Sequence, residues 1–201
     1  YSLMDAYDVA LALERSQSSL YAAVVPSTLT DQHATNGAIQ GELYALAEGI
    51  ACSNDLAVIL FSGHGEVVHE TLYLLPHGVE TGSRAQIASS DLTITEYREC
   101  VARIAQKGHE ILLLDACYSG DATVLTASGP GELSFEHEDW ENGAFSKALV
   151  EALSDADYDG DGFITPVDLA TFIKARVRDL TAGKQTPDVE LNSHARLLYA
   201  N

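Results

Sequence analysis

The run Ile111-Leu-Leu-Leu-Asp115-Ala116-Cys117-Tyr118-Ser119-Gly120 constrains this chain more than any other stretch, because its apolar residues stop abruptly at an acid, a thiol and small turn residues. Unbroken apolar residues, rather than an alternation, mark a strand buried on both faces and therefore a sheet covered by helices on both sides. In an open α/β sheet such strands deliver functional groups at their carboxyl ends. Leu56-Ala-Val-Ile-Leu-Phe61 has the same grammar and runs into Ser62-Gly63-His64-Gly65, a histidine held between two glycines. Two such strands side by side place a thiol and an imidazole on one rim of the sheet, the core of a cysteine-nucleophile site built from Cys117 and His64.

The remaining elements fit around these strands. Residues 3–15 carry Leu3, Val9, Leu11 and Leu13 with acids between them, which predicts an amphipathic helix. Tyr21–Val25 reads as a short β-like run stopped by Pro26, and 35–48 as a helix capped by Thr35 or Asn36. Thr71–Leu75, ending at Pro76, reads as a short strand or hairpin arm, and Ser90-Asp91 as the cap of a helix over about 92–106. A strand is expected at 124–128, helices at 144–153 and 166–180, the latter with proline in its first turn, and a last strand near Leu197–Tyr199. Strands alternating with helices imply a mainly parallel α/β sheet. One spacing resists this order: about eight residues separate Asp115 from Val124, whereas a parallel crossover takes a dozen or more. Either 124–128 runs antiparallel to its neighbour, or a surface loop between about 118 and 124 is missing; the missing loop is the favoured expectation.

Composition removes whole classes of function. A formal charge of −19 with only 11 Lys plus Arg opposes binding to nucleic acid or an anionic membrane, both of which need basic patches. It favours basic partners or cations, unless it serves only as a solubilising surface. No apolar run approaches the roughly 18 residues of a membrane span, and the N-terminus lacks the pattern of a signal peptide, so a cytoplasmic protein is expected. Three cysteines, at 52, 100 and 117, form no CxxC pair, which argues against a disulfide framework or a zinc site. Cys52 and Cys100 read as packing residues, and histidines 33, 69, 77, 109, 137 and 194 as surface residues without metal spacing.

Taken alone, Cys117 could be a buried, inert thiol, and His64 an ordinary histidine. The glycines around both change that balance, because they let backbone amides approach a substrate carbonyl. Ser62-Gly-His-Gly65 and Asp115-Ala-Cys-Tyr-Ser-Gly120, each after a buried strand, closely resemble the caspase-fold cysteine peptidases, particularly the prokaryotic metacaspase and orthocaspase branch. The resemblance continues through Tyr73-Leu-Leu-Pro76, Leu125-Thr-Ala-Ser128, Gly143-Ala-Phe145 and Gly183-Lys-Gln-Thr-Pro187. It implies a caspase-like three-layer α/β fold with a mainly parallel central sheet flanked by helices. It divides the chain into a large-subunit-like part, 1–120, with His64 and Cys117, and a small-subunit-like part, 121–201, together one domain. It also implies that His64 assists Cys117, that the amides of Gly65 and Cys117 form the oxyanion hole, and that water hydrolyses an acyl-enzyme.

Charge suggests the substrate. Asp115 stands two residues before Cys117 on one strand, so strict alternation puts both on the same face, where Asp115 can line the pocket for the residue preceding the cut. Metacaspase-like enzymes resemble this chain in that acid and in a second one in a context like Met4-Asp5-Ala6, and they cut after Arg or Lys. The expectation is an Arg/Lys-specific endopeptidase with Asp5 and Asp115 in its pocket, acting on proteins or peptides with basic residues. Otherwise Asp115 is a turn-capping acid and Asp5 an exposed acid at a helix start. Glu136, Glu138, Asp139 and Glu141 precede Gly143 where the resembled fold borders its substrate cleft, so they either favour basic peptides or form a solvated loop; Trp140 among them is a cleft wall or a loop anchor. The resembled family has a strand before the first helix and a longer segment after the Cys strand, where precursors are cut. Both differences suggest a processed or incomplete chain, activated by a protease or a partner domain.

A second constellation lies at Asp157-Tyr-Asp159-Gly-Asp161-Gly162-Phe163-Ile-Thr165-Pro-Val-Asp168. Acids at the first, third, fifth and twelfth positions, glycine at the sixth, a backbone carbonyl (Phe163) at the seventh and Thr165 at the ninth match a calcium loop between two helices, with Asp in place of the usual final Glu. The shorter Asp predicts weaker Ca2+ binding. The bland reading is a Gly-rich acidic turn with Thr165 capping the next helix. Two further functions remain open: a catalytically silent, calcium-responsive scaffold, and a caspase-like enzyme of different specificity.

Overall fold

The computed structural model describes residues 2–15, 21–69, 71–89, 93–117, 124–128, 134–137, 140–190 and 198–199. Its central sheet has the order β1 (Leu56–Ser62), β4 (His109–Cys117), β5 (Val124–Ser128), β9 (Asp188–Glu190), the first three parallel and β9 antiparallel to β5. A hairpin of β2 (His64–Val68) and β3 (Thr71–Leu75) leaves the end of β1. Two-residue pairings join β6 (Glu136–His137) to β7 (Asn142–Gly143) and β8 (Phe163–Ile164) to β10 (Leu198–Tyr199). The helices are α1 (Ser2–Arg15), α2 (Asn36–Gly49), α3 (Arg84–Ala88), α4 (Ile94–Ala105), α5 (Ala144–Asp155) and α6 (Pro166–Leu180).

The unbroken apolar run of β4 is used on both faces. Ile111 and Leu113 pack with Val9 of α1, Phe145 and Leu149 of α5 and Ile173 of α6. Leu112 and Leu114 pack with Leu43 and Ala47 of α2, Tyr97 and Ile104 of α4, and Leu74 of β3. Each of these fully buried aliphatic side chains contributes about 1.5–3 kcal/mol of transfer free energy, so β4 is the seam between two cores. Alternation then decides which polar group faces which helices. Asp115 continues the Ile111–Leu113 side, and Ser62, paired with it in the β1–β4 register, continues the Leu56, Val58 and Leu60 side of β1 that faces the same core. Both therefore point at α1 and α5.

Several sequence expectations are met closely. Thr35 caps α2, its side chain accepting from the Ala38 amide, and Pro166 stands in the first turn of α6 behind a Thr165–Asp168 capping box. Others are corrected. Tyr21–Val25 forms no strand: Pro26 has no amide to donate, and Val25 is 87% exposed, so nothing rewards the extended run. The cap of α4 is Thr93, in a reciprocal box with Glu96, while Ser90 and Asp91 lie outside the described residues. The helix α1 buries Asp5 and Val9 but leaves Leu3 and Leu11 exposed, so an acid rather than a leucine faces the sheet. Cys52 is exposed in a turn, where its amide and that of Ala51 donate to Asp55 Oδ2 at 3.0 and 2.8 Å; Cys100 is buried as expected. His33, His69, His77, His109 and His137 are exposed, and His194 lies outside the described residues. Of the two arrangements open for 124–128 the parallel one is present, β5 pairing with β4, as the favoured expectation had it; the connection at 118–123 lies outside the described residues.

The segment Gly183-Lys-Gln-Thr-Pro187 has a structural explanation in Gln185. This fully buried amide donates from Nε2 to the Ala127 carbonyl of β5 and accepts at Oε1 from the Phe135 amide, both at 2.8 Å, while its own amide donates to Thr181 Oγ1. One side chain thus ties the sheet to the strand that leads into β6. Gln185→Leu keeps the approximate volume but leaves a buried carbonyl and a buried amide unpaired, at about 1–3 kcal/mol each. The expected result is a midpoint of thermal unfolding lower by roughly 5–15 °C at 2–4 °C per kcal/mol, read by calorimetry; an unchanged midpoint would show that water replaces both bonds.

Candidate active site

The β1–β4 register brings the two motif segments to one rim. Ser62 pairs with Asp115, and one residue on the Gly63 amide donates to the Asp115 carbonyl at 3.1 Å. His64 follows immediately, as the exposed first residue of β2, while Cys117 ends β4 two residues beyond Asp115. The histidine and cysteine backbones thus occupy the carboxyl edges of adjacent strands, which lie about 4.8 Å apart in a sheet. Gly65 pairs with Leu74 at the start of the hairpin.

Strict alternation does not carry across from Asp115 to Cys117. The β4–β5 pairing runs from Leu114 opposite Thr126 to Cys117 opposite Ser128, so β4 takes three steps where β5 takes two. The extra residue is a bulge, a device that re-aims side chains at the edges of functional sites. The face of Asp115 is instead set by its own contacts.

Those contacts form a buried acid pair. Asp115 lies on the core side of β4 and accepts at Oδ2 from Ser146 Oγ of α5 at 2.8 Å. Asp5, 1% exposed on α1, accepts at Oδ2 from Ser62 Oγ at 2.8 Å and at Oδ1 from the Gly143 amide at 3.0 Å. Gly143 separates the two: a Cβ there would stand 2.9 Å from Asp115 Oδ2 and 3.7 Å from Asp5 Oδ2. Only glycine lets both carboxyls close on that point. Burial, followed by the Asp5 charge, pushes the Asp115 carboxyl up to about 7, against the smaller opposing effect of Ser146. Burial also raises Asp5, countered by the hydrogen bonds from Ser62 and Gly143. Burial and the neighbouring carboxyl thus favour the protonated form of Asp115. Among the described residues no lysine or arginine forms an ion pair with either.

Asp5 and Asp115, 110 positions apart in a chain read without its fold, thus meet in one cluster, each placed there by hydrogen bonds. Sequence reasoning missed Ser62, Gly143 and Ser146. Ser62 could have been found: it lies in the same Ser-Gly-His-Gly segment, on the parity that faces α1. Ser146 shows no sign before α5 is docked.

The acidic stretch before Gly143 becomes a hairpin. Phe135 is held by Gln185 and by the Ala144 amide, which donates to its carbonyl at 2.8 Å; Asn142 donates from Nδ2 to Asp8 Oδ2 at 3.0 Å. Trp140 stacks on His137 with ring centroids 5.2 Å apart and packs against the core, so it is a loop anchor. Glu138 and Asp139 lie outside the described residues.

In the acidic loop after α5, Asp157 accepts from the amides of Gly160 and Gly162, Asp159 from that of Asp161, and Asp161 from that of Phe163. Carboxylate oxygens of these three acids come within 4.8 Å of one another. Asp168 is diverted: its Oδ2 accepts from the amide and hydroxyl of Thr165 at 2.8 and 2.6 Å as the helix cap. The donor set fits a hard cation through three converging acids, with the twelfth position reduced to one uncommitted oxygen.

A shallow groove between α2 and α4, lined by Leu43, Tyr44, Tyr97 and Arg103, lies on the opposite face of the sheet from the acid pair and carries none of the motif residues. No helix among the described residues is long and apolar enough to cross a membrane. A search of curated protein sequences returns no match. The model of the caspase domain, Peptidase_C14, matches residues 5–199, from the acid on α1 to the last strand, and the chain belongs to this family of cysteine peptidases.

Proposed function

We propose that the chain is a cysteine endopeptidase of the metacaspase-like kind that cuts protein and peptide substrates after Arg or Lys. The observation that supports this most is the buried Asp5–Asp115 pair around Gly143, which lacks a basic partner among the described residues and stands beside the rim where β1 and β4 end. An aspartate side chain in that position would add another buried negative charge beside the acid pair, so the pocket rejects the acidic substrates that a basic pocket would take. A guanidinium or ammonium supplies the positive charge and displaces the proton from Asp115.

In the reaction that follows, the Cys117 thiol transfers its proton to His64 and the sulfur attacks the scissile carbonyl, forming the C–S bond. The amides of Gly65 and Cys117 donate to the developing oxyanion. Collapse of the tetrahedral intermediate breaks the C–N bond as His64 protonates the leaving amine, and water then hydrolyses the thioester with His64 as base. Gly63, fixed to Asp115 through its amide, ties the position of His64 to the strand that bears the pocket acid. Activation by cleavage of a precursor or by a partner domain belongs to the same reading, as does a reducing, cytoplasmic setting, in keeping with the free thiols of Cys52 and Cys100. A peptide-library cleavage profile on the wild type and on Cys117→Ala tests it: cuts after Arg and Lys that vanish in the variant support it, and cuts after Asp refute it.

Calcium is proposed for the acidic loop, where Asp157, Asp159 and Asp161 would hold it with the Phe163 carbonyl, Thr165 and the remaining oxygen of Asp168. The ion would act there as an electrostatic cross-link between the end of α5 and the start of α6. Because Asp168 is committed to the cap, binding is expected only in the range of about 10⁻⁴–10⁻³ M, abolished in Asp157→Ala. Calorimetry showing no heat of binding at millimolar calcium would remove the site.

A further inference from the structure

The groove between α2 and α4, across the sheet from the acid pair, encloses about 230 Å³. Pockets for drug-sized ligands run from roughly 300 to 1,000 Å³, so this one admits a smaller molecule. Its lining carries polar groups that the fold leaves open. Glu99 and Arg103 stand four apart on α4, acid first, the order that favours an ion pair along a helix. No ion pair joins them among the described residues: Arg103 lies instead over the Tyr44 ring of α2, 5.1 Å from its centroid. The stacking sets the guanidinium in place, and its N–H groups have no acceptor among the described residues. Tyr97 is 2% exposed, its ring set edge-on to Phe61 with centroids 6.4 Å apart. The side-chain atoms sealed off without a partner are Asn36 Oδ1, Arg98 Nε and Ser134 Oγ, so the Tyr97 oxygen, which bonds to none of the described residues, opens into the groove. Burial pushes its phenol far above the ordinary value, with Cys100 adding to this, so it stays a proton donor. Glu96, the other acid of the lining, is committed at Oε2 to the amide and hydroxyl of Thr93, both at 2.8 Å. Burial raises the Cys100 thiol as well, Arg103 opposes that and Glu99 and Glu96 add to it, so the three charges stand around one point of the groove.

We propose that this groove binds a small zwitterion, an α-amino acid with an apolar side chain, whose carboxylate is held by Arg103 and the Tyr97 hydroxyl and whose ammonium is held by Glu99. A guanidinium already stacked on a ring presents a planar fork that matches a carboxylate, and a hydrogen bond to a charged acceptor is about twice as strong as a neutral one. Residues four apart on a helix have Cβ atoms about 5–6 Å apart, so opposite charges that lean away from each other leave room between them for the two charged groups of an amino acid. Leu43, 5% exposed, supplies the apolar floor. A simple anion would meet Glu96 and Glu99 and a simple cation would meet Arg103, so the lining discriminates against either in favour of a molecule that carries both charges. Because Glu99 and Arg103 are exposed, each contact contributes a modest, salt-screened amount.

The test follows the backbone amide signals of the isotope-labelled protein by NMR during titration with L-leucine, with leucinamide, which lacks the carboxylate, and with N-acetyl-leucine, which lacks the cation. L-leucine is expected to give saturable shifts in α2 and α4 with a Kd of about 10⁻⁴–10⁻³ M, the affinity open to a ligand of this size. Leucinamide and N-acetyl-leucine should each bind about threefold to tenfold more weakly, the range of an exposed charge-assisted pair. Arg103→Gln should weaken L-leucine by that factor and leave leucinamide unchanged, and Glu99→Gln should weaken L-leucine and leave N-acetyl-leucine unchanged. Tyr97→Phe, which keeps the packing on Phe61, should weaken L-leucine and N-acetyl-leucine alike. Asp115→Asn, on the other face of the sheet, should leave all three affinities as they are, which separates this site from the acid pair. The absence of saturable shifts in α2 and α4 at up to about 10⁻² M L-leucine, equal affinities for the three ligands, or undiminished L-leucine binding in Arg103→Gln would overturn the proposal.

Discussion

Cys117→Ala is expected to reduce hydrolysis of Arg- and Lys-peptide reporters to background, and His64→Ala to reduce it by about 10²–10⁴-fold, the usual worth of a positioned general base. The two losses differ in kind. Without the thiol no covalent intermediate forms, whatever the pH. Without the imidazole the thiol must ionise unaided, so the residual rate of His64→Ala should climb as pH is raised while Cys117→Ala stays flat. His64 is the exposed first residue of β2 and Cys117 the last residue of β4, both beyond the final β1–β4 pair, so both changes are expected to spare the core. Unfolding midpoints within a degree or two of the wild type would confirm that the loss is chemical. A His64→Ala enzyme of normal activity would remove the dyad.

Asp115→Asn should act on binding and on stability in opposite directions. The amide keeps the approximate shape and can still pair with Ser146, but it cannot offer the charge that a guanidinium needs in a buried site. KM for arginine reporters is expected to rise by about 10²-fold or more, with kcat falling less. In the wild type the proton on the pair must leave for the cation to bind, so KM should rise as pH falls below about 7, the value to which burial and Asp5 push the Asp115 carboxyl. This acid limb should be absent from the variant. Stability runs the other way because the folded carboxyl has a raised pKa. Between about pH 4 and pH 7 the unfolded chain has lost this proton and the folded chain still holds it, so wild-type stability falls as pH rises across that window. Asp115→Asn should match the wild type below about pH 4 and exceed it at pH 8, by at most about 4 kcal/mol. Equal stability at both pH values would show that the pair is solvated after all.

How much of this was legible in the sequence depends on whether a residue's environment is set by its neighbours along the chain or across it. The two buried runs at 56–61 and 111–114 declare themselves because a strand covered on both faces leaves no polar position, and their parallel pairing is present, with the His64 and Cys117 segments following at its carboxyl ends. Helix caps at Thr35 and Thr165 were equally local. The helix α1 was found, but its orientation was not. The apolar set Leu3, Val9, Leu11 and Leu13 suggested one buried face; Val9 is buried, but Leu3 and Leu11 are exposed and Asp5 faces the sheet, because Ser62 and the Gly143 amide satisfy the acid there. That compensation comes from residues 57 and 138 positions away and leaves no trace in local periodicity. The same holds for the β6–β7 hairpin, whose paired strands are only two residues long. It exists because Gln185, Asp8 and Asp5 hold it, and a pattern of two residues has no period. The shift in the β4–β5 register between Leu114 and Cys117 is a further case, an irregularity that no alternation pattern shows.

The measurement that bears most directly on the whole account is covalent labelling of the intact protein by peptidyl chloromethyl ketones ending in Arg or in Asp, followed by mass mapping of the adduct. A thiol nucleophile beside an Arg/Lys pocket predicts one adduct, on Cys117, formed by the Arg reagent, slowed at least about 10²-fold in Asp115→Asn and lost in His64→Ala. Labelling of Cys117 by the Asp reagent at an equal or greater rate, or an adduct only on the exposed Cys52, would contradict it.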